Sequence, residues 1–303
     1  MDAKQPNIAV IGAGAIGGAT AAFMKMSGWD PEIVCKHQET VDRISVKGLH
    51  LSGIRGEHTV QMKAVKDISD LSGPKDLVFL ATKANDCLNA ARDLLPYLGP
   101  NSTVISLQNG ICEEALADIL GKDRMLGCVV GWGATNKGYG NVEVTSEGEF
   151  VIGNMDNAPD ERLSSIEGIL GSVNPTRVSQ NIMGELYSKL IINSCINSLG
   201  VIGGVTLGKL LANQKAREVF FEIMREAMSV ADAMHIKVEP AGGGKLDYYR
   251  LLAQTGMLAA LKRYLTIRVV GFKYRRVKSS SLQSLERGRK TEIDFFNGYT
   301  SDK

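Results

Sequence analysis

The sequence predicts an α/β fold followed by an all-α one: a doubly wound parallel sheet first, then a helical domain. Three observations predict it. Apolar, β-branched runs alternate with helical patterns through the first part of the chain, a glycine-rich turn joins the first run to the first helix, and strand signals stop after Asn181. A chain of 303 residues suits two domains better than one, and the change of pattern places their boundary near residue 180, giving domains 1–180 and 181–303.

In chain order, Asn7–Ile11 reads as a strand and Ala15–Ser27 as a helix. Glu32–Cys35 and Thr59–Ala64 read as the second and third strands, and Asp76–Ala81 as a fourth. A helix from about Asn85 to Tyr97 follows, and Ser102–Ser106 and Met125–Val130 extend the series. From Asn141 to Ile152 the pattern turns to alternation with glycines around it, which predicts an antiparallel hairpin closing the sheet.

Composition narrows the class. With 44% hydrophobic and 22% charged residues, the chain is neither disordered nor of low complexity. Its 35 Lys+Arg nearly balance 33 Asp+Glu, which argues against a surface coated with nucleic acid or anionic lipid. The five cysteines are scattered and the four histidines lack metal-ligand spacing, so neither a disulfide framework nor a metal site is expected. The stretch between Lys189 and Lys209 has the length of a membrane span, but two asparagines and four glycines break its apolar character. Asp2, Lys4 and Gln5 open the chain unlike a signal peptide, and a cytoplasmic protein is the expectation.

Ile8–Gly17 reads I-A-V-I-G-A-G-A-I-G, a G-x-G-x-x-G turn between strand and helix. Gly12 permits the tight turn, Gly14 lets backbone approach a pyrophosphate, and Gly17 lets helix and strand pack closely. With Ala13, Ala15 and Ile16, these glycines form a candidate anion cradle at a helix N-terminus, the mark of a dinucleotide-binding, Rossmann-type domain. The bland alternative is a tight βα turn. NAD enzymes commonly place an acid at the end of the second strand; here Lys36 stands at the tip and Glu32 sits too early. A cation there suits the 2′-phosphate of NADP, unless it is merely a solvated surface lysine.

The segment Glu185–Leu199, ELYSKLIINSCINSL, sets Lys189, Asn193 and Asn197 at i, i+4 and i+8 in otherwise apolar surroundings. They span about 80° of one helix face. Such groups need polar partners, and a ligand supplies them. A lysine so placed can protonate a nascent alkoxide, and the amides can hold a hydroxyl or carboxylate. The other reading is an amphipathic helix meeting water, with a Glu185–Lys189 pair.

These residues, with ATKA around Lys83, LQNG around Asn109 and SSLQSLERGRKTEIDFFNG near the end, resemble the ketopantoate reductases (2-dehydropantoate 2-reductases). The resemblance runs from Asn7 to Tyr299. It implies NADPH-dependent reduction of ketopantoate to pantoate, in pantothenate biosynthesis. Lys189 then matches the catalytic general acid, Asn193 and Asn197 the amides at the substrate hydroxyl, and Ser280 the serine at the substrate carboxylate. Glu292 matches an acid between cofactor and substrate, and Asn109 an amide beside the nicotinamide ribose. Lys36, Lys83 and Gly133 match cofactor-contacting positions. Three features depart from the family: Ser284 replaces a frequent Asp, Ser198 a frequent Pro, and the stretch from about Val238 to Val277 is longer. Members usually continue past the N-G-Y motif, so the resemblance also implies a C-terminally incomplete chain.

Between Asp247 and Glu286 lie eight cations and no acid: Arg250, Lys262, Arg263, Arg268, Lys273, Arg275, Arg276 and Lys278. The overall +2 is therefore +8 here and −6 elsewhere. A solvated helix surface, contact with an acidic subunit in a homodimer, or steering of anionic ligands would each use it; nucleic acid is not expected. The expected partner is a small-molecule 2-oxo acid, with no membrane. Two alternatives remain open, reduction of another branched 2-oxo acid and a non-catalytic NADP(H)-binding regulator.

Overall fold

The computed structural model describes residues 5–253, 256–273 and 275–303, apart from the side chains of 257–262, 270 and 273. The chain divides into two compact units, Met1–Ile182 and Met183–Lys303.

In the first unit the chain order is β1 (Ile8–Ile11), α1 (Ala15–Met26), β2 (Glu32–Val34), α2 (Gln38–Lys47), β3 (Leu49–Gly53), β4 (His58–Val60), β5 (Ala64–Val65) and β6 (Lys75–Leu80). It continues with α3 (Ala84–Leu94), β7 (Leu98–Ser106), α4 (Glu113–Leu120), β8 (Met125–Val130), β9 (Gly133–Gly138) and β10 (Asn141–Ser146). The unit ends with β11 (Phe150–Asn154), α5 (Arg162–Gly171) and β12 (Thr176–Val178).

The main sheet has the order β12-β11-β8-β7-β6-β1-β2-β5. Its strands are parallel except that β11 pairs antiparallel with β8, so β11 and β12 run against the rest. The central strands β1 and β6 are almost wholly buried, which is why they read as continuous apolar runs. The chain leaves β1 toward β2 on one side and returns to β6 on the other. This reversal opens a crevice at the carboxyl ends of those strands, where open α/β sheets bind ligands.

A second sheet, β4-β3-β10-β9, was not foreseen and corrects two expectations. The expected strand Thr59–Ala64 is two pieces, β4 in the second sheet and β5 at the edge of the main one. The expected hairpin Asn141–Ile152 is absent. Strand β10 pairs with β9 and β3, whereas β11 joins β8 in the other sheet. Alternation reports that one face of a strand is buried, and is silent about which strand lies beside it. The chain crosses between the sheets at Gly148, where a Cβ would lie 2.2 Å from the Gly131 carbonyl oxygen. The helix expected to reach Tyr97 ends at Leu94, because Pro96 cannot continue it, and a 3-10 turn finishes the segment.

Two adjacent glycines fix α1 in place. A Cβ on Gly17 would sit 2.1 Å from the Gly12 carbonyl oxygen and 2.7 Å from Ala81 Cβ. One on Gly18 would press Val142 and Leu49 of the second sheet at 3.2 and 3.3 Å. Thus α1 is tied to the main sheet at one glycine and approached by the second sheet at the next.

Apart from an isolated bridge between Ala241 and Leu246, the regular structure in the second unit's described residues is helical. It contains most of α6 (Ile182–Gly203), then helices Leu207–Ala212, Gln214–Ala233, Tyr248–Ala253, Met257–Lys273, Ser280–Glu286 and Asn297–Asp302. Tyr187, Leu190, Ile191 and Cys195 bury one side of α6, and the Tyr248 hydroxyl donates to the Ser188 carbonyl at 2.6 Å. Ser198, at the position where proline is frequent in the resembled family, keeps α6 unbroken and donates its hydroxyl to the Ser194 carbonyl at 2.6 Å. Of the eight cations in the acid-free stretch, the side chains of Lys262 and Lys273 lie outside the described residues. Arg250, Arg268, Arg275 and Arg276 are exposed, and Lys278 pairs with Glu286 at 2.6 Å. Among the described residues, no helix is long and apolar enough to cross a membrane.

Candidate active site

The glycine turn has the geometry of an anion cradle. Gly12 has φ +114°, and a Cβ on it would strike the Ala81 carbonyl oxygen at 2.8 Å, so only glycine fits. Its N–H donates to the Val34 carbonyl at 3.0 Å, which draws the turn against the end of β2. Gly14 is the N-cap of α1 and no side chain caps the helix. A Cβ on Gly14 would meet nothing within 4 Å, so this glycine faces open space. The helical ladder starts with Gly18 N–H to Gly14 carbonyl at 2.9 Å. The amides of Ala15, Ile16 and Gly17 therefore precede it, at the positive end of the helix dipole. A dinucleotide pyrophosphate fits this arrangement: open room, unladdered N–H groups and no competing acid in the first turn.

Two of these glycines predict different outcomes on substitution. Gly14→Ala is expected to melt within about 2 °C of the parent but to bind cofactor at least about tenfold more weakly, because its methyl fills ligand space. Gly17→Ala is expected to lower the melting temperature by several degrees, since backbone atoms 2.1 Å away must move. Thermal melts together with a cofactor titration separate the two effects.

Two further loops reach the same ends of the sheet. Lys83 is the exposed N-cap of α3, just after β6, and Asn109 follows β7 on a bend ending at Gly110, φ +89°. The loops are joined by residues that the sequence reading passed over. Gln108, buried, donates to the Thr82 hydroxyl at 3.3 Å and accepts from the Ser106 hydroxyl at 2.6 Å. Their signal lay in the A-T-K-A and L-Q-N-G strings themselves, whose inner Thr and Gln are the residues that meet. Gly133 opens β9, where a Cβ would lie 2.8 Å from the Ser146 hydroxyl, so close strand packing already requires glycine there.

At the end of β2, Lys36 is exposed and its Nζ lies 3.0 Å from Asp86 Oδ2 in the first turn of α3. Glu32, at the opposite end of β2, belongs to a buried cluster instead. It accepts from Lys63 Nζ at 2.9 Å, Ser72 N at 3.0 Å, the Ser72 hydroxyl, and lies 3.2 Å from the buried Lys75 Nζ. Burial alone would raise its carboxyl. The Ser72 hydroxyl and amide, with Lys63 and Lys75, outweigh this and hold it at about 2. Glu32 is thus a fold residue.

In the second unit, Lys189, Asn193 and Asn197 do share one face of α6. Lys189 and Asn193 are half-buried. Asn197 is 1% exposed, its Oδ1 accepting from the Ser280 hydroxyl and the Ser281 amide, each at 3.0 Å. Its Nδ2 donates to Asn193 Oδ1 at 3.4 Å. Asn197 therefore binds protein groups on both sides and sets the two residues next to it. Among the described residues the Asn193 Nδ2 is buried without a hydrogen-bond partner, a donor for which an external oxygen would be the complement. One turn along α6, Gly200 admits Ser279, whose hydroxyl would lie 2.5 Å from a Cβ there. Ser279 also caps the Ser280–Glu286 helix by accepting from Leu282 N. Neither Gly200 nor Ser279 stood out in the sequence, since their meeting depends on a turn 79 residues downstream. Glu292 is buried, 5% exposed, at the start of a 3-10 turn.

Comparison with known proteins decides the family. The pattern of "Ketopantoate reductase PanE/ApbA" matches residues 8–157, and that of "Ketopantoate reductase PanE/ApbA C terminal" matches residues 181–302. The chain belongs to this family. It is an oxidoreductase of the 2-dehydropantoate 2-reductase type, and a nicotinamide cofactor suits its glycine turn. A 2-dehydropantoate 2-reductase of Pyrococcus horikoshii is 29% identical over 96% of this chain and 88% of its own. That of Archaeoglobus fulgidus is 27% identical with the same coverage. Among solved structures, a PanE/ApbA family ketopantoate reductase from Ralstonia eutropha JMP134 superposes with a TM-score of 0.82 at 27% identity, covering 98% of this chain and 90% of that one. A D-mandelate dehydrogenase with NADH and anilino(oxo)acetate also reaches 0.82, at 23% identity with the same coverage, and shares the fold.

Proposed function

We propose that this ketopantoate reductase family member reduces 2-dehydropantoate to pantoate with NADPH, the reductive step of pantothenate biosynthesis. The observation that carries the reading is the polar face of α6. Lys189 and Asn193 stand one turn apart on a largely apolar helix, and Asn197 fixes Asn193 and Ser280 by hydrogen bonds. In this reading the first unit, residues 1–180 in the sequence division, holds the cofactor, and the second supplies the substrate groups.

The backbone of Gly12, Ala13, Gly14, Ala15, Ile16 and Gly17 would hold the pyrophosphate, with Lys36 at the 2′-phosphate and Lys83, Asn109, Gly133 and Glu292 at further cofactor contacts. When bound, the reduced nicotinamide supplies a hydride to a ketone carbon. The Lys189 ammonium donates the balancing proton to the ketone oxygen, so that an alcohol forms without free alkoxide. Asn193 Nδ2 donates to a substrate oxygen. Ser280, exposed, turns its hydroxyl hydrogen from Asn197 Oδ1 to the substrate carboxylate, and the Ser281 amide keeps Asn197 in place meanwhile. Glu292 would stand between cofactor and substrate, as the family resemblance implies.

The test is NADPH oxidation followed by absorbance with ketopantoate, a panel of other branched 2-oxo acids, and NADH as control. Ketopantoate is expected to give the highest kcat/KM. A different preferred acid would replace the substrate, and NADPH binding with no turnover on any acid would sink the enzymatic reading.

A further inference from the structure

The carboxyl end of β2 is followed by a cation, Lys36, and by no acid of its own loop, yet an acid from another element lies beside that cation. Lys36 Nζ and Asp86 Oδ2 are 3.0 Å apart, with side chains 72% and 49% exposed. The two residues come from strands on either side of β1: Lys36 follows β2, and Asp86 lies in the helix that follows β6. The glycine turn that follows β1 is held to both neighbours, by Gly12 N–H on the Val34 carbonyl and by the close approach of Gly12 to Ala81. The ion pair therefore bridges the carboxyl ends of the two strands flanking the pyrophosphate turn.

We propose that Asp86 is a cofactor-selecting residue that opposes the 2′-phosphate and accepts a ribose 2′-hydroxyl, so that this chain takes NADH as well as NADPH. The proposal rests on the cofactor reading above. A dianionic 2′-phosphate at Lys36 must displace the Asp86 carboxylate or share the lysine with it, and like charges at this range repel. A 2′-hydroxyl makes no such demand, because it can donate to Asp86 while accepting from Lys36. An exposed ion pair of this kind holds itself together weakly, so the ligand can rearrange it at small cost. Asp86 thus takes the part of the acid commonly found at the end of β2, delivered from the next loop. Glu32 cannot take that part, being held by Lys63, Ser72 and Lys75 at the far end of the strand.

The experiment is direct titration of the full chain with NADPH and with NADH, read by nicotinamide fluorescence without any oxo acid. Asp86→Asn keeps the shape and removes the charge. It is expected to raise the ratio Kd(NADH)/Kd(NADPH) about tenfold, chiefly by tightening NADPH. Lys36→Gln is expected to move the same ratio the other way. If both cofactors bind and the Asp86→Asn ratio stays within about twofold of the parent, the assignment of Asp86 is overturned while the cofactor reading stands. If neither cofactor binds the parent chain, the cofactor reading fails and this proposal with it. Asp86→Ser is the second variant; a ratio moving in the same direction as Asp86→Asn supports the charge effect, and a ratio moving only in Asn overturns it.

Discussion

Lys189→Ala is expected to lower kcat by about 10²- to 10⁴-fold, the range associated with loss of a general acid. The effect should be confined to turnover. Alanine is the best helix former, so α6 keeps its backbone. The hydrogen bonds that fix Asn193, Asn197, Ser280 and Ser281 to one another do not run through the lysine. The cofactor cradle is built from residues 12–17 in the other unit, so the NADPH dissociation constant should stay within about twofold of the parent value. Lys189→Arg sharpens the test. A guanidinium keeps the positive charge but holds its proton far more tightly, so it should restore substrate KM toward the parent while kcat remains low. Stopped turnover assays under saturating cofactor, with parallel NADPH titrations, read both quantities. A kcat within about tenfold of the parent in the alanine variant defeats the assignment of Lys189 as proton donor.

How much of this was legible beforehand depends on whether a residue's reason is local. Gly12, Gly14 and Gly17 could be read because a βα turn imposes their requirements within six residues of chain. Gly18 could not, because the side chains that a methyl there would press, Val142 and Leu49, lie in a sheet that alternation did not disclose. The parallel strands β1 and β6 declare themselves by their continuous apolar runs. Strands β4 and β10 are legible as strands but not as members of the second sheet, since a half-buried strand carries the same alternation whichever sheet it joins. On α6, periodicity put Lys189, Asn193 and Asn197 on one face. It could not say that Asn197 is sealed against Ser280 and Ser281, 83 and 84 residues away, leaving Asn193 as the amide with an unmet donor. The tip of β2 shows the same limit: Lys36 was visible, but its acidic neighbour arrives from another loop.

Glu32→Gln is expected to destabilise the first unit by about 3 kcal/mol, lowering its melting temperature by roughly 6–12 °C. The argument turns on Lys75, whose side chain is only 3% exposed. With Glu32 neutralised, Lys75 keeps its hydrogen bond to the Ser72 hydroxyl at 3.3 Å but loses the charge that makes its burial tolerable. Lys63 is 51% exposed, so its share of the cluster is small and Lys63→Gln should cost less than about 1 kcal/mol. The acid dependence follows from the direction of the shift. The Glu32 carboxyl is held at about 2 in the folded chain against an ordinary 4.5, so folding favours its ionised form. That stabilisation is complete above the ordinary value, declines as the pH falls below it, and is gone once the pH passes the folded value. Urea unfolding of the parent should therefore weaken across this window, with a proton uptake that Glu32→Gln removes. A glutamine variant that melts with the parent, or that keeps the parent's slope between those two pH values, would show that Lys75 and Ser72 tolerate the loss and that the cluster does not stabilise the amino end of β2.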